Sequence, residues 1–267
     1  ALLSMPAIMA QISSIIMQYI DASMVGSLGA EPAASIGLVS TSTWLFGGLP
    51  SAAAVGFYVQ VAHRIGADDM EGAKHVLRQS LLACMLWVLM VTAIGVGISG
   101  GLPVWLGGNP DITADASTYF LIFSLALPAF QINSLAGGML RCSGNILIPS
   151  LLNVLLCVLD VVFNFFLIFP TREVSLLGLS LTIPGAGLGV KGAALGTCIA
   201  VYIIGLLMMY FMWFRSKELK LIGTHGSFMP TLETLKRAVT IGLPMGIEHV
   251  VMCGAQIMTT VIVAPLG

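Results

Sequence analysis

The chain has 267 residues, of which 57% are hydrophobic and 9% charged, with a formal net charge of −1. Soluble domains carry about 25% charged residues, so this composition excludes a soluble enzyme or a nucleic-acid module and predicts an all-α polytopic membrane protein. Length sets no domain count here, because a membrane bundle grows by helices rather than around one globular core.

The first apolar stretch, Pro6 to Gly29, is long enough to cross a bilayer core, which takes about 20 helical residues. It is too long, and lacks the basic flank and small-residue cleavage site, to read as a signal peptide. The chain does not begin with Met, which suggests that it starts inside a longer protein. Gln11, Ser14, Gln18 and Asp21 are spaced by three, four and three, so at about 100° per residue they form one polar stripe. An acid at that depth is expected to face a bundle interior or a wet cavity, since exposing it to lipid costs about 2.5–3.5 kcal/mol on insertion scales.

Seven spans follow from hydropathy and from Gly, Pro and charge breaks: 2–26, 34–61, 80–101, 119–141, 147–169, 188–214 and 238–264. With the amino terminus in the cytoplasm, nine cations (Arg64, Lys74, Arg78, Arg141, Arg215, Lys217, Lys220, Lys236, Arg237) lie inside. Two, Arg172 and Lys191, lie outside. Positive charge collects on the cytoplasmic side, so this is the expected orientation. Segment 63–79 reads as a mixed-charge interfacial connector with helical spacing. The outer connector 170–187 has two short runs around Leu177-Gly178 that predict a small hairpin.

Span four carries Ser124, Gln131 and Ser134 on one side, with Pro128 between them. Pro128, like Pro50 in span two, either kinks its helix beside a cavity or simply packs. Span five carries Asn153, Cys157, Asp160 and Asn164 at i, i+4, i+7 and i+11, a second polar stripe with a second buried acid. Two such acids suit a proton, a sodium ion or a cationic ligand; the structural alternative is a hydrogen-bonded lock between helices. In span six, Gly192-x-x-x-Gly196 predicts close helix packing, and Thr197 next to it faces either a cavity or its own backbone.

Span seven resembles span one. With Pro244 placed on Pro6, Gln256 falls on Gln18, Val263 on Val25, Leu266 on Leu28 and Gly267 on Gly29, while Thr259 takes the place of Asp21. That agreement arises either by chance or from an internal repeat that restarts near residue 238. Glu248 and His249 lack a second ligand at metal spacing, and Glu248 reads as a cytoplasm-side pairing or gate residue. Cys84, Cys142, Cys157, Cys198 and Cys253 lack CxxC spacing, so neither a disulfide nor a metal site is expected. No Walker loop, nucleophile elbow or metal cluster is visible, and the chain is not expected to be an enzyme.

Four motifs in order carry a family resemblance. They are Ile20-Asp21-Ala22-Ser23-Met24-Val25-Gly26-Ser27-Leu28-Gly29, Gly66-Ala67-Asp68, Arg141-x-x-Gly144, and Gly187-Leu188-Gly189-Val190-x-Gly192-Ala193-Ala194-x-Gly196-Thr197. Together they resemble the multidrug and toxic compound extrusion (MATE) transporters. The resemblance implies twelve helices in two pseudo-symmetric lobes that export drugs or other organic cations by alternating access, in exchange for inward proton or sodium flow. The chain would then be a six-helix transmembrane lobe (1–214), a cytoplasmic inter-lobe linker (215–237) and the first helix of an incomplete second lobe (238–267). Its partners would be organic cations, the lipid bilayer and the missing lobe. Neither a nucleic acid nor a cofactor beyond H+ or Na+ is implied. It would act as a monomer in a bacterial inner membrane.

The resemblance places Asp21 on the family's first-helix acid and Thr197 on its sixth-helix threonine. In span five the pattern Asn-x-x-x-Asp is exchanged: Asp160 takes the Asn place and Asn164 the Asp place. The acid thereby shifts about 5.4 Å along the helix axis. Asp21, Asp160, Asn164, Gln18 and Thr197 are the expected cation and substrate site, with sodium possible at Asp21 and Asp160. The rival within the superfamily is a lipid-linked oligosaccharide flippase, which would line its cavity with arginines. Here the arginines fall in loops or at helix ends.

Overall fold

The computed structural model describes residues 4–176, 179–215 and 227–263. Its long helices are α1 (Ser4–Gly26), α2 (Ala30–Gly66), α3 (Met70–Ile98), α5 (Pro110–Cys142), α6 (Leu147–Ile168), α7 (Val190–Tyr210) and α8 (Leu232–Val263). A single turn, α4 (Leu102–Trp105), precedes α5, and a π-helical turn (Phe211–Arg215) continues α7. Among the described residues, seven helices are long and apolar enough to cross a membrane. The fold is therefore an all-α membrane bundle.

Several helices outrun their apolar windows, because hydropathy marks hydrocarbon while backbone hydrogen bonding continues into the interface. The 63–79 segment is thus two helix ends with a turn at residues 67–69. Asp68 takes a left-handed conformation there (φ 58°), and Asp69 caps α3 by accepting from the Gly72 N–H. Arg64 at the end of α2 pairs with Asp69 at 2.6 Å. The α8 helix likewise begins at Leu232, six residues before the expected span.

Strands β1 (Pro170–Leu176) and β2 (Leu179–Ala186) pair antiparallel, Glu173 opposite Thr182, as the two short runs predict. The residues between them, Leu177-Gly178, lie outside the described residues, as does 216–226 of the expected linker.

The main core gathers Phe57, Val61, Leu77, Met139 and Met208 from α2, α3, α5 and α7. Pro50 and Pro128 sit inside unbroken helices. Beside Pro128, the Leu125 carbonyl accepts the Tyr202 hydroxyl of α7 at 2.9 Å, so a neighbouring helix satisfies backbone near the proline. Gly192 and Gly196 set the distance between α6 and α7. A Cβ at Gly192 would strike the Leu167 carbonyl, which confirms packing as the use of that pair.

Candidate cation site

The two polar stripes meet. Ser14 Oγ lies 4.0 Å from Cys157 Sγ, and two turns further Asn164 Nδ2 donates to Asp21 Oδ1 at 3.0 Å. Both contacts join residues 143 apart in sequence, a constant offset that only parallel helices keep. So α1 and α6 run in the same direction, as the three spanning helices between them (α2, α3 and α5) require.

The Asn164 amide also donates to Asp160 Oδ2, one turn back on α6, at 3.1 Å. A single amide nitrogen therefore bridges carboxylates from two helices. Asp160 and Asn164 are each 1% exposed. Asp160 Oδ1 and Asn164 Oδ1 are buried without a hydrogen-bond partner among the described residues. The Thr197 side chain of α7 stands beside the Asp160 carboxyl. Gly196, one residue earlier, opens the space: a Cβ there would land on Asn164 Oδ1.

Four of the five expected residues are thus brought together: Asp21, Asp160, Asn164 and Thr197. Gln18 is not. It is exposed on α1, and the described residues give it no hydrogen bond to the group. The oxygens present, two carboxylates, one amide oxygen and one hydroxyl, are a hard donor set. Two carboxylates held this close in a bundle interior repel unless a proton or small cation sits with them.

Tyr119 was not visible as a site residue in the sequence. It lies within electrostatic reach of both Asp21 and Asp160. It also lines a cavity of about 480 Å³ with Trp44, Phe123, Phe130, Met245 and His249. The signal that could have found it is the aromatic spacing Tyr119, Phe123, Phe130 at i, i+4 and i+11, one face of α5. His249 Nε2 donates to the Trp44 carbonyl at 2.9 Å, across the α2–α8 contact and directly over Gly48. Glu248 is exposed. Gln131 is buried with both amide atoms unpartnered among the described residues, and Ser134 meets Ser51 of α2 at 2.9 Å.

The family model MatE matches residues 6–166. A probable multidrug resistance protein NorM of Thermotoga maritima is 21% identical over 256 residues, covering 96% of this chain and 52% of that protein. The multidrug resistance protein MdtK of Pectobacterium atrosepticum is 26% identical over 283 residues, covering 99% of this chain and 56% of its own length. Among solved structures, a MOP superfamily transporter from Pyrococcus furiosus superposes with a TM-score of 0.80 at 25% identity. That match covers 95% of this chain and 53% of the other. The chain spans about half the length of the curated relatives it matches.

Proposed function

The chain belongs to the MatE family, and from that membership we propose that it is one lobe, with the first helix of the next, of a cation-coupled secondary antiporter. The proposed units are the bundle 1–214, the linker 215–237 and the opening helix of a second lobe from 238 onward. The cargo is a drug or other organic cation, the coupling ion is H+ or Na+, and the setting is a bacterial inner membrane with the amino terminus inside.

The observation that carries this reading is the Asn164 amide shared by Asp21 and Asp160. A purely structural lock would satisfy its own atoms. This one leaves Asp160 Oδ1 and Asn164 Oδ1 buried without a hydrogen-bond partner among the described residues, acceptors available to an incoming proton or sodium ion. An ion between α1 and α6 biases how the two helices sit, and the cargo draws on the same charge. The names of the NorM and MdtK relatives support drug efflux as the direction of transport. The flippase alternative finds no arginine in the lining of the aromatic cavity.

The test is efflux of a fluorescent organic cation from liposomes that hold the chain completed by the remaining five helices of a carboxy-terminal lobe. A pH gradient is imposed first and a sodium gradient second. Gradient-driven efflux that disappears in both Asp21→Asn and Asp160→Asn supports the assignment. Efflux unchanged in both variants removes the coupling role from these acids. Transfer of a lipid-linked sugar without cation efflux would put the flippase in its place.

A further inference from the structure

Small residues bring α2 and α8 together. A Cβ at Gly56 would strike the Ala238 carbonyl, and one at Gly242 would come within 2.7 Å of the Ala52 carbonyl. Small residues at this crossing leave a hollow beside it, and α3 contributes Ala83, Cys84 and Trp87 to its lining. The result is a groove of about 470 Å³ with a lining that is apolar throughout. Ala52 and Phe57 of α2, Trp87 of α3, and Gly242, Leu243 and Gly246 of α8 are among its lining residues.

The groove has one polar end. Lys236 lies three and seven residues before Val239 and Leu243, which both line the groove, so helical spacing puts it on the same face one turn nearer the start of α8. Lys236 is exposed and has no ion-pair partner among the described residues. Its neighbour Arg237 is taken by Glu233 at 2.8 Å. From Lys236 to Ile247 the axial rise is about 16 Å, roughly half of the hydrocarbon thickness. A slot of that reach, apolar along its length and cationic at its mouth, matches one lipid acyl chain beneath an anionic headgroup.

We propose that the groove between α2, α3 and α8 binds one acyl chain of an anionic phospholipid, with its phosphate at Lys236, in the leaflet that α8 enters first. The bound chain fills the flank of the α2–α8 crossing and holds α8 against the bundle. Under the proposed orientation this is the cytoplasmic leaflet. The lipid site stands independently of ion coupling, because it shares no residue with the acid pair.

Trp87 reports on the groove. In a Trp44→Phe, Trp105→Phe, Trp213→Phe background it is the single indole, and lipids brominated along the acyl chain quench it on contact. The 267-residue chain is placed in nanodiscs of unbrominated phosphatidylcholine, and brominated phosphatidylglycerol or brominated phosphatidylcholine is titrated in. The expected result is about fivefold enrichment of phosphatidylglycerol at Trp87 over its bulk fraction. That corresponds to about 1 kcal/mol for one lysine at an anionic headgroup. Lys236→Gln, an exposed change that leaves the fold intact, should remove the enrichment. Gly246→Leu, whose Cβ meets only the Ala52 methyl at 3.7 Å, should fill the groove and lower quenching by both lipids. Quenching that follows bulk fraction equally for both lipids would overturn the proposal, as would enrichment that survives Lys236→Gln. Absence of quenching would show protein covering the groove and would overturn it as well.

Discussion

Asn164 is the residue on which the site turns, because its one amide nitrogen serves two carboxylates. Replacing it with Ala leaves both acids without that donor and should cost about 1–3 kcal/mol, the range for orphaned buried polar groups. The thermal midpoint of the purified chain in detergent measures this. Gly196→Ala approaches the same point from the other side, since the new methyl lands on Asn164 Oδ1 while neither acid is touched. Overpacking of this kind costs about 1–3 kcal/mol. A control at Gly97, where a Cβ meets nothing within 4 Å, should be neutral or slightly stabilising. Equal midpoints for Gly196→Ala and Gly97→Ala would refute the tight seat. The stripe containing Asp160 and Asn164 was legible in the sequence because periodicity gives the angle of each residue about its helix. Periodicity does not give height relative to a neighbouring helix. The sequence therefore offered Gln18 and Asp21 alike, and only the register of α1 on α6 separates the exposed glutamine from the engaged acid.

At the scale of elements, hydropathy located every spanning helix and missed mainly how far each runs past the membrane. The α2–α3 turn shows why. Its residues are charged, so an apolar window ends early, but Asp69 restores helix by capping α3. The Gly72 backbone N–H, and then Arg64, hold the Asp69 carboxyl below its ordinary value of 3.8. A carboxyl lowered on folding stabilises the folded form above its unfolded value, and that contribution is lost as pH falls through the lower folded value. Acidification below the ordinary carboxylate range should therefore loosen the first turn of α3, read as lower protection factors for the Gly72 and Ala73 amides once the intrinsic pH dependence of exchange is divided out. In Asp69→Ala those protection factors should already be low at neutral pH and change little on acidification. Asp69→Asn keeps a capping oxygen and should lie between the two. Fast exchange in the wild type at neutral pH would mean that the cap does not order the turn. The hairpin, by contrast, was legible only as two runs flanking Leu177-Gly178, and its pairing register is a tertiary fact.

The described residues form one helical bundle, in which the proposed division makes α8 the single helix of a next unit. α8 lies along α2, joined by Gln60 Nε2 donating to the Thr234 carbonyl at 3.2 Å and by His249 at the Trp44 carbonyl. Much of its remaining surface is apolar and open, with Leu243 54%, Val251 66% and Ile262 67% exposed. Alternating access moves two bodies against each other about a shared site. Under the proposed division the acids are on one body, and the second body is represented by one helix, α8, that packs onto the first. In the proposed mechanism an ion arriving at Asp21 and Asp160 shifts α1 on α6, and in this chain that shift has no opposing lobe to rotate. Liposomes holding only this chain should therefore show no gradient-driven efflux of an organic cation, whatever the pH or sodium gradient. The same acids should still bind the coupling ion. Sodium or proton binding measured on the isolated chain, lost in Asp160→Asn, is the expected companion result. Efflux from such liposomes that rises with the amount of chain and is abolished by Asp160→Asn would mean that one lobe suffices. The chain would then have to assemble a second body from a copy of itself, with the open face of α8 as the surface available for it.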